Sequence, residues 1–151
     1  MAERKDRPEV LAGVTVKVKT GCGNMYVTVT FHEGGEFEVF GMVGKAGTCS
    51  KALSEAVTRM LSLQLRCGVK STEISKQLRG ITCPNPVWSH GTQILSCADA
   101  VAKVLTELPS MKLVKHYGFL NPDAAPVLET DTHGFKEPED IPEEETDGAN
   151  A

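Results

Sequence analysis

The chain has 151 residues, with 40% hydrophobic, 24% charged and 5% aromatic side chains. That suits one domain with a single core, and no apolar run approaches the ~18 residues needed to span a bilayer. The formal net charge of −4 excludes a strongly basic nucleic-acid footprint over the whole chain, but it is unevenly spread. Residues 129–151 hold nine acids against one base, a net of −8, whereas residues 1–128 carry a net of +4.

The first residues, Met-Ala-Glu-Arg-Lys-Asp-Arg-Pro, lack the apolar stretch of a secretory signal. A cytoplasmic location is therefore expected, where thiols stay reduced and five cysteines need an explanation other than a disulfide framework. Residues 1–12 read as a flexible N-terminal arm, and the folded domain is expected over 13–110. Val14, Val16 and Val18 alternate with Thr15, Lys17 and Lys19, the period of a half-buried strand. Gly21-Cys22-Gly23-Asn24 interrupts the alternation with turn residues, and Tyr26 to Phe31 resumes it. Glu33-Gly34-Gly35-Glu36 signals a hairpin into a third strand through Phe37 and Val39. Three short strands with tight turns predict an antiparallel meander.

Helical spacing begins after Gly44-Lys45-Ala46-Gly47-Thr48-Cys49. Leu53, Ala56, Val57, Met60, Leu61 and Leu65 recur at threes and fours, predicting a buried apolar face. Thr48 or Ser50 can cap this helix, and Gly68 ends it. A shorter helix is expected from Ser71 or Thr72 to about Leu78. Cys83-Pro84-Asn85-Pro86 marks a rigid loop, which continues through Trp88 and His90, with Trp88 expected to anchor it in the core. Ser96-Cys97-Ala98-Asp99 has capping-box spacing, with Asp in place of Glu or Gln. It opens a last helix that stops at Pro109. Residues 111–128 form an extension, and the acidic stretch 129–151 is expected to be disordered. The predicted class is α+β, a three-stranded antiparallel meander with about three helices on one face.

Four cysteines occupy comparable places. Cys22 lies in a turn, Cys83 in the proline loop, and Cys49 and Cys97 at helix starts, where the dipole favours thiolate. Four converging thiolates would suit tetrahedral zinc or an iron–sulfur cluster. Their spacings of 27, 34 and 14 residues match no Cys-x-x-Cys knuckle, and cysteine is also a common small core residue, so both readings stand. Cys67 falls at a helix C-terminus and reads as packing. Gly44-Lys45-Ala46-Gly47-Thr48 has the composition of a phosphate-binding loop, but its lysine precedes the second glycine. That order fits a strand-to-helix turn better. His90 is the histidine to test as a ligand, and a loop hydrogen bond is its plainer role. No nucleophile, base and orienting group form a recognisable set, so the residues alone predict no enzyme.

Several stretches together resemble the C-terminal region of adenosylcobalamin (vitamin B12)-dependent ribonucleotide reductases. They are Arg7-Pro8-Glu9-Val10-Leu11, Lys19 to Thr28 through Gly21-Cys22-Gly23-Asn24, and Gly44-Lys45-Ala46-Gly47-Thr48-Cys49. Further along come Glu55 to Leu63, Leu65-Arg66-Cys67-Gly68-Val69, and Leu78-Arg79-Gly80-Ile81-Thr82-Cys83-Pro84. Leu95-Ser96-Cys97-Ala98-Asp99-Ala100 is similar to the region named the TSCPD domain. The likeness runs from about Arg7 to Leu108 and keeps the pieces in order.

The barrel that carries the radical chemistry and the cobalamin site in those enzymes is absent, as is their cysteine-rich tail. The resemblance thus implies a stand-alone accessory or regulatory module of deoxyribonucleotide synthesis, partnered by a reductase catalytic chain. Adenosylcobalamin would enter only through that partner, and Cys22, Cys49, Cys83 and Cys97 would form a metal or redox site. A more distant likeness is to iron–sulfur scaffold proteins of the NifU/IscU type, which implies a metal carrier as the alternative. There an acid follows Cys-Gly and a histidine precedes the last cysteine, where this chain has Asn24 and Ser96. Weak RNA or nucleotide binding by the basic part is a third reading.

Overall fold

The computed structural model describes residues 3–44, 47–89 and 91–110. Strands β1 (Ala12–Thr20), β2 (Gly23–His32) and β3 (Gly35–Val43) form an antiparallel sheet in the order β1-β2-β3. Helix α1 (Cys49–Arg66) follows, then α2 (Ser71–Leu78) and a small hairpin of β4 (Val87–Ser89) and β5 (Thr92–Ile94). The last helix, α3 (Cys97–Glu107), tightens into a 3-10 turn over Leu108–Ser110. The α+β class and the meander are as the sequence predicts. The extension 111–128 and the acidic stretch 129–151 lie outside the described residues, as do Lys45 and His90.

The alternation read in the sequence becomes the two faces of the sheet. Met25, Val27, Val29 and Phe31 of β2 point to one side, with Val18 of β1 and Val39 and Val43 of β3, and all are buried. Ala100, Val101, Val104 and Leu105 of α3 close on them, with Leu108, Ile74 and Ile94. Each such aliphatic side chain contributes roughly 1.5–3 kcal/mol of burial. The β2–β3 turn is made by Glu33 (φ 51) and Gly34 (φ 74), one residue earlier than the glycine pair suggests. Two positive φ values in a two-residue loop match the strand twist.

Helix α1 differs from the expected packing. Its buried residues are Ser54, Thr58, Leu61, Ser62 and Leu65, while Leu53 is 66% and Met60 59% exposed, and Ala56 is also exposed. The reason is the sheet edge. Strand β3 is an edge strand, and its outward N–H and C=O groups need partners. The Ser62 hydroxyl accepts from Val39 N–H (3.0 Å) and donates to the Val39 carbonyl (2.8 Å). Thr58 Oγ1 accepts from Gly41 N–H (3.3 Å) and donates to the Ser54 carbonyl within its own helix (2.9 Å). Hydrogen bonding, more than apolar burial, sets the rotation of α1.

Thr48 caps α1 as read from the sequence, its hydroxyl accepting from Lys51 N–H. Backbone bonds from Gly68 to Leu65 and from Val69 to Gln64 close the other end. Trp88 does not enter the core; it is 70% exposed. In the three-residue strand β4, Val87 packs on the core and the buried Ser89 hydroxyl accepts from Lys19 N–H (3.2 Å), so strand alternation turns Trp88 outward. Before β1, Lys5 N–H donates to the Arg66 carbonyl (3.0 Å), and the Arg66 guanidinium donates back to the Lys5 carbonyl. Arg7 pairs with the buried Glu38 at 2.9 Å.

Replacing Ser62 by Ala should leave both Val39 backbone groups unpaired beneath the helix. The expected loss is about 1–3 kcal/mol, read as a lower urea midpoint with an unchanged slope. An unchanged midpoint would mean that the edge does not depend on this hydroxyl.

Candidate functional site

One end of the sheet gathers the turn between β1 and β2, the start of α1, the loop after α2 and the start of α3. Between them lies a mostly apolar pocket of about 260 Å³. Cys22, Cys83 and Cys97 line it together with Met25, Val57, Ile81 and Val101. Close packing of the loops makes the convergence possible. A Cβ on Gly21 would sit 2.0 Å from the carbonyl oxygen of Asn85, so only glycine lets the Cys22 turn seat against the proline loop. On the other side, Cys83 N–H donates to the Leu95 carbonyl (2.9 Å), tying that loop to the residues that enter α3.

A single buried carboxylate organises this region. Asp99 is 1% exposed and accepts from Gly80 N–H (3.0 Å), Leu95 N–H (3.0 Å) and Lys103 Nζ (2.6 Å). Its own N–H is capped by Ser96 Oγ at 3.2 Å. Half of the capping box read in the sequence is thus present. The shorter aspartate sends its return bond to Leu95 rather than Ser96, and it reaches Gly80 as well. Burial alone would raise the Asp99 pKa, but the Leu95 N–H, Lys103 and the Gly80 N–H outweigh it and hold the carboxyl below its usual value of 3.8. Lys103 is itself largely buried beside it.

The sulfur chemistry follows from burial. Cys22 is exposed, while Cys83 and Cys97 are half-buried, and none of the five cysteines is in a disulfide. Burial pushes the Cys97 thiol above its ordinary value; Thr20 opposes this, and the neighbouring Cys22 and Cys83 sulfurs raise it further. The helix start therefore does not make Cys97 an acidic thiol, because burial outweighs the Thr20 contact that would lower its pKa. Thr20 Oγ1 donates to the Gly23 carbonyl (2.8 Å) and lies 3.7 Å from Cys97 Sγ, linking the turn directly to α3.

Three of the four candidate cysteines therefore share one pocket. Cys49 is the first residue of α1 and is exposed, outside the pocket lining, although the adjacent Ser50 is part of it. Cys67 forms the C-cap at the opposite end of that helix and is half-buried. Among the described residues, no group of three or more His, Cys, Asp or Glu side chains is disposed to hold a metal ion. The arrangement is a thiol-lined cleft, not a closed ligand set. Sequence reading missed the Asn85 contact of Gly21 and the reach of Asp99 to Gly80. The available signal was Asp in place of the longer Glu or Gln three residues after Ser96.

The whole of this architecture lies within one family domain. The chain matches the family model described as the TSCPD domain over residues 2–109 and belongs to that family. It is the domain that the motifs above connect with B12-dependent ribonucleotide reductases. No curated protein and no solved structure matches the chain significantly. No described helix is long and apolar enough to cross a membrane.

Asp99→Asn should remove a charged acceptor and leave the Lys103 ammonium with the neutral Gln93 carbonyl, at a cost of about 2–4 kcal/mol at neutral pH. Because the folded pKa is depressed, the Asp99 contribution is complete above pH 3.8 and is lost as pH falls through the lower folded value. The gap between native and variant stabilities should therefore narrow as pH falls below 3.8 in urea titrations. A gap that stays constant with pH would show that the charge is not responsible.

Proposed function

We propose that this chain is an accessory module of B12-dependent ribonucleotide reduction that docks on a reductase catalytic chain and presents a cysteine site to it. The observation that carries the reading is the TSCPD match over residues 2–109 together with the gathering of Cys22, Cys83 and Cys97 at one pocket. The partner supplies the catalytic barrel and adenosylcobalamin; this chain supplies thiols, and deoxyribonucleotide production is the process served.

The mutual approach of the pocket sulfurs favours dithiol–disulfide exchange as the chemistry. In that step two pocket thiols join as a disulfide and give up two electrons and two protons, while a disulfide on the partner becomes two thiols. The second reading is a bound metal, zinc or an iron–sulfur cluster, with Cys49 as fourth ligand beside the pocket three. It draws on the position of Cys49 at the start of α1, next to a pocket residue, and requires its side chain to turn inward.

Pull-down of the full chain with a reductase catalytic chain at micromolar concentration tests the partner, and absence of binding would reject it. Metal analysis and thiol titration of untagged protein separate the two chemistries. A stoichiometric metal that is lost with Cys49→Ser supports ligation. Metal-free, natively folded protein whose Cys22 pairs with Cys83 or Cys97 in a glutathione redox buffer supports exchange. Thiols that stay reduced throughout would remove the redox reading.

A further inference from the structure

The sulfur that meets solvent and the cavity behind it differ in character. Cys22 is exposed, on the tight turn between β1 and β2. The cavity it borders is not ionic: none of the described residues that line it is Asp, Glu, Lys, Arg or His. Met25 and Val101, each 1% exposed, belong to its floor. Leu53 of α1 and Ile81 after α2 line the same cavity yet are 66% and 47% exposed, which places them at its mouth. At about 260 Å³ the space is smaller than the ~300–1,000 Å³ of a drug-sized site and larger than the ~150 Å³ that holds benzene. One group the size of a leucine or phenylalanine side chain fits it.

We infer that the cavity is a recognition subsite for the apolar side chain beside a partner's reacting cysteine. The inference rests on the exchange reading above and adds what selects the disulfide. In the first step the Cys22 sulfur, having given up its proton, attacks one sulfur of the partner's disulfide. A bond between those two sulfurs forms as the partner's S–S bond breaks, and the other partner sulfur leaves as a thiolate that takes up a proton. The side chain next to the attacked cysteine enters the cavity past Leu53 and Ile81. Its burial, with that of the exposed apolar surface at the mouth, stabilises the encounter. The same surface disfavours glutathione disulfide. Carboxylates and amines drawn to this mouth would lose water without meeting an opposite charge in the lining. Exchange at Cys22 is thereby directed to a polypeptide and away from the small-molecule thiol pool.

Two short peptides test this, acetyl-Gly-Leu-Cys-amide and acetyl-Gly-Ser-Cys-amide, each with its cysteine activated as the 2-pyridyl disulfide. Reaction with the full chain releases pyridine-2-thione, and mass spectrometry assigns each adduct to its cysteine. Cys49 is exposed and outside the pocket lining, so it serves as the reference within the same molecule. At Cys22 the leucine peptide should react at least about tenfold faster than the serine peptide, as burial of one leucine side chain allows. At Cys49 the two rates should agree within about twofold. Leu53→Ser and Ile81→Ser, both at exposed positions, should each cut the Cys22 preference about threefold or more and leave the serine peptide's rate unchanged. Circular dichroism matching that of the native chain confirms that both variants keep their fold. Equal rates at Cys22, or a preference that both substitutions leave intact, overturn the inference and leave the exchange reading in place. No adduct at Cys22 with either peptide, while Cys49 reacts, removes the exchange reading and this inference together.

Discussion

The arrangement of the pocket end depends on the Asp99 carboxylate. Three groups meet on its two oxygens: Gly80 N–H, nineteen residues earlier after α2, Leu95 N–H just before α3, and Lys103 one turn further along α3. An ionised carboxylate buried without these donors would be strongly unfavourable, so the chain satisfies it as a unit or not at all. That requirement fixes where the loop between α2 and α3 begins and ends. Cys83 lies three residues beyond Gly80 and is bonded through its own N–H to Leu95, and Cys97 lies two residues before Asp99. The distance between two of the pocket sulfurs is thus set by a group that carries no sulfur.

A second constraint governs the other side of the molecule. An edge strand must be covered, paired or blunted, and here two hydroxyls cover it. Ser62 and Thr58 have short side chains, so α1 sits close to β3 and turns a polar face inward. The helix is amphipathic in the sense opposite to that of an ordinary surface helix over much of its length. Leu61 and Leu65 still reach the core and Val57 packs against it, but Leu53, Ala56, Met60 and Leu63 face outward. The outward stripe is a consequence of how the edge is satisfied.

These two constraints explain which parts of the fold were legible in the sequence. The strands were readable because Val, Thr and aromatic residues alternate with period two and each strand is buried on one side. The ends of the helices were readable because Thr48, Gly68 and Ser96 act within a few residues of themselves. The burial of α1 was not readable, because periodicity records apolar residues and says nothing of an unpaired Val39 N–H elsewhere in the chain. Trp88 was misplaced for a similar reason. Its size suggested the core, but Ser89 is held inward by Lys19, seventy residues away, and alternation decides the rest. The common location of Cys22, Cys83 and Cys97 followed from their places at loops and helix starts. The separate position of Cys49 did not, since a helix N-terminus fixes where a residue stands and not which way it faces.

The pocket also imposes an order on any chemistry its sulfurs perform. Cys97 is partly desolvated and its thiol is held above its ordinary pKa, which at neutral pH makes it a poor nucleophile toward anything arriving from solvent. Cys22 is exposed, on the turn that Gly21 presses against Asn85. Under the proposed exchange reading, the accessible sulfur is the one to meet a partner first. The buried one then completes the reaction by displacing the partner from the mixed disulfide. Resolution still passes through the Cys97 thiolate, so burial slows that step, while the neutral disulfide it forms no longer carries the desolvation cost. The apolar wall made by Met25, Val57 and Val101 would suit the product better than an ionised reactant. The same wall bears on the metal reading. A tetrathiolate site concentrates negative charge that the ion must neutralise, and the hydroxyls available here to donate to it are those of Ser50, Ser54, Thr58, Thr82 and Ser96.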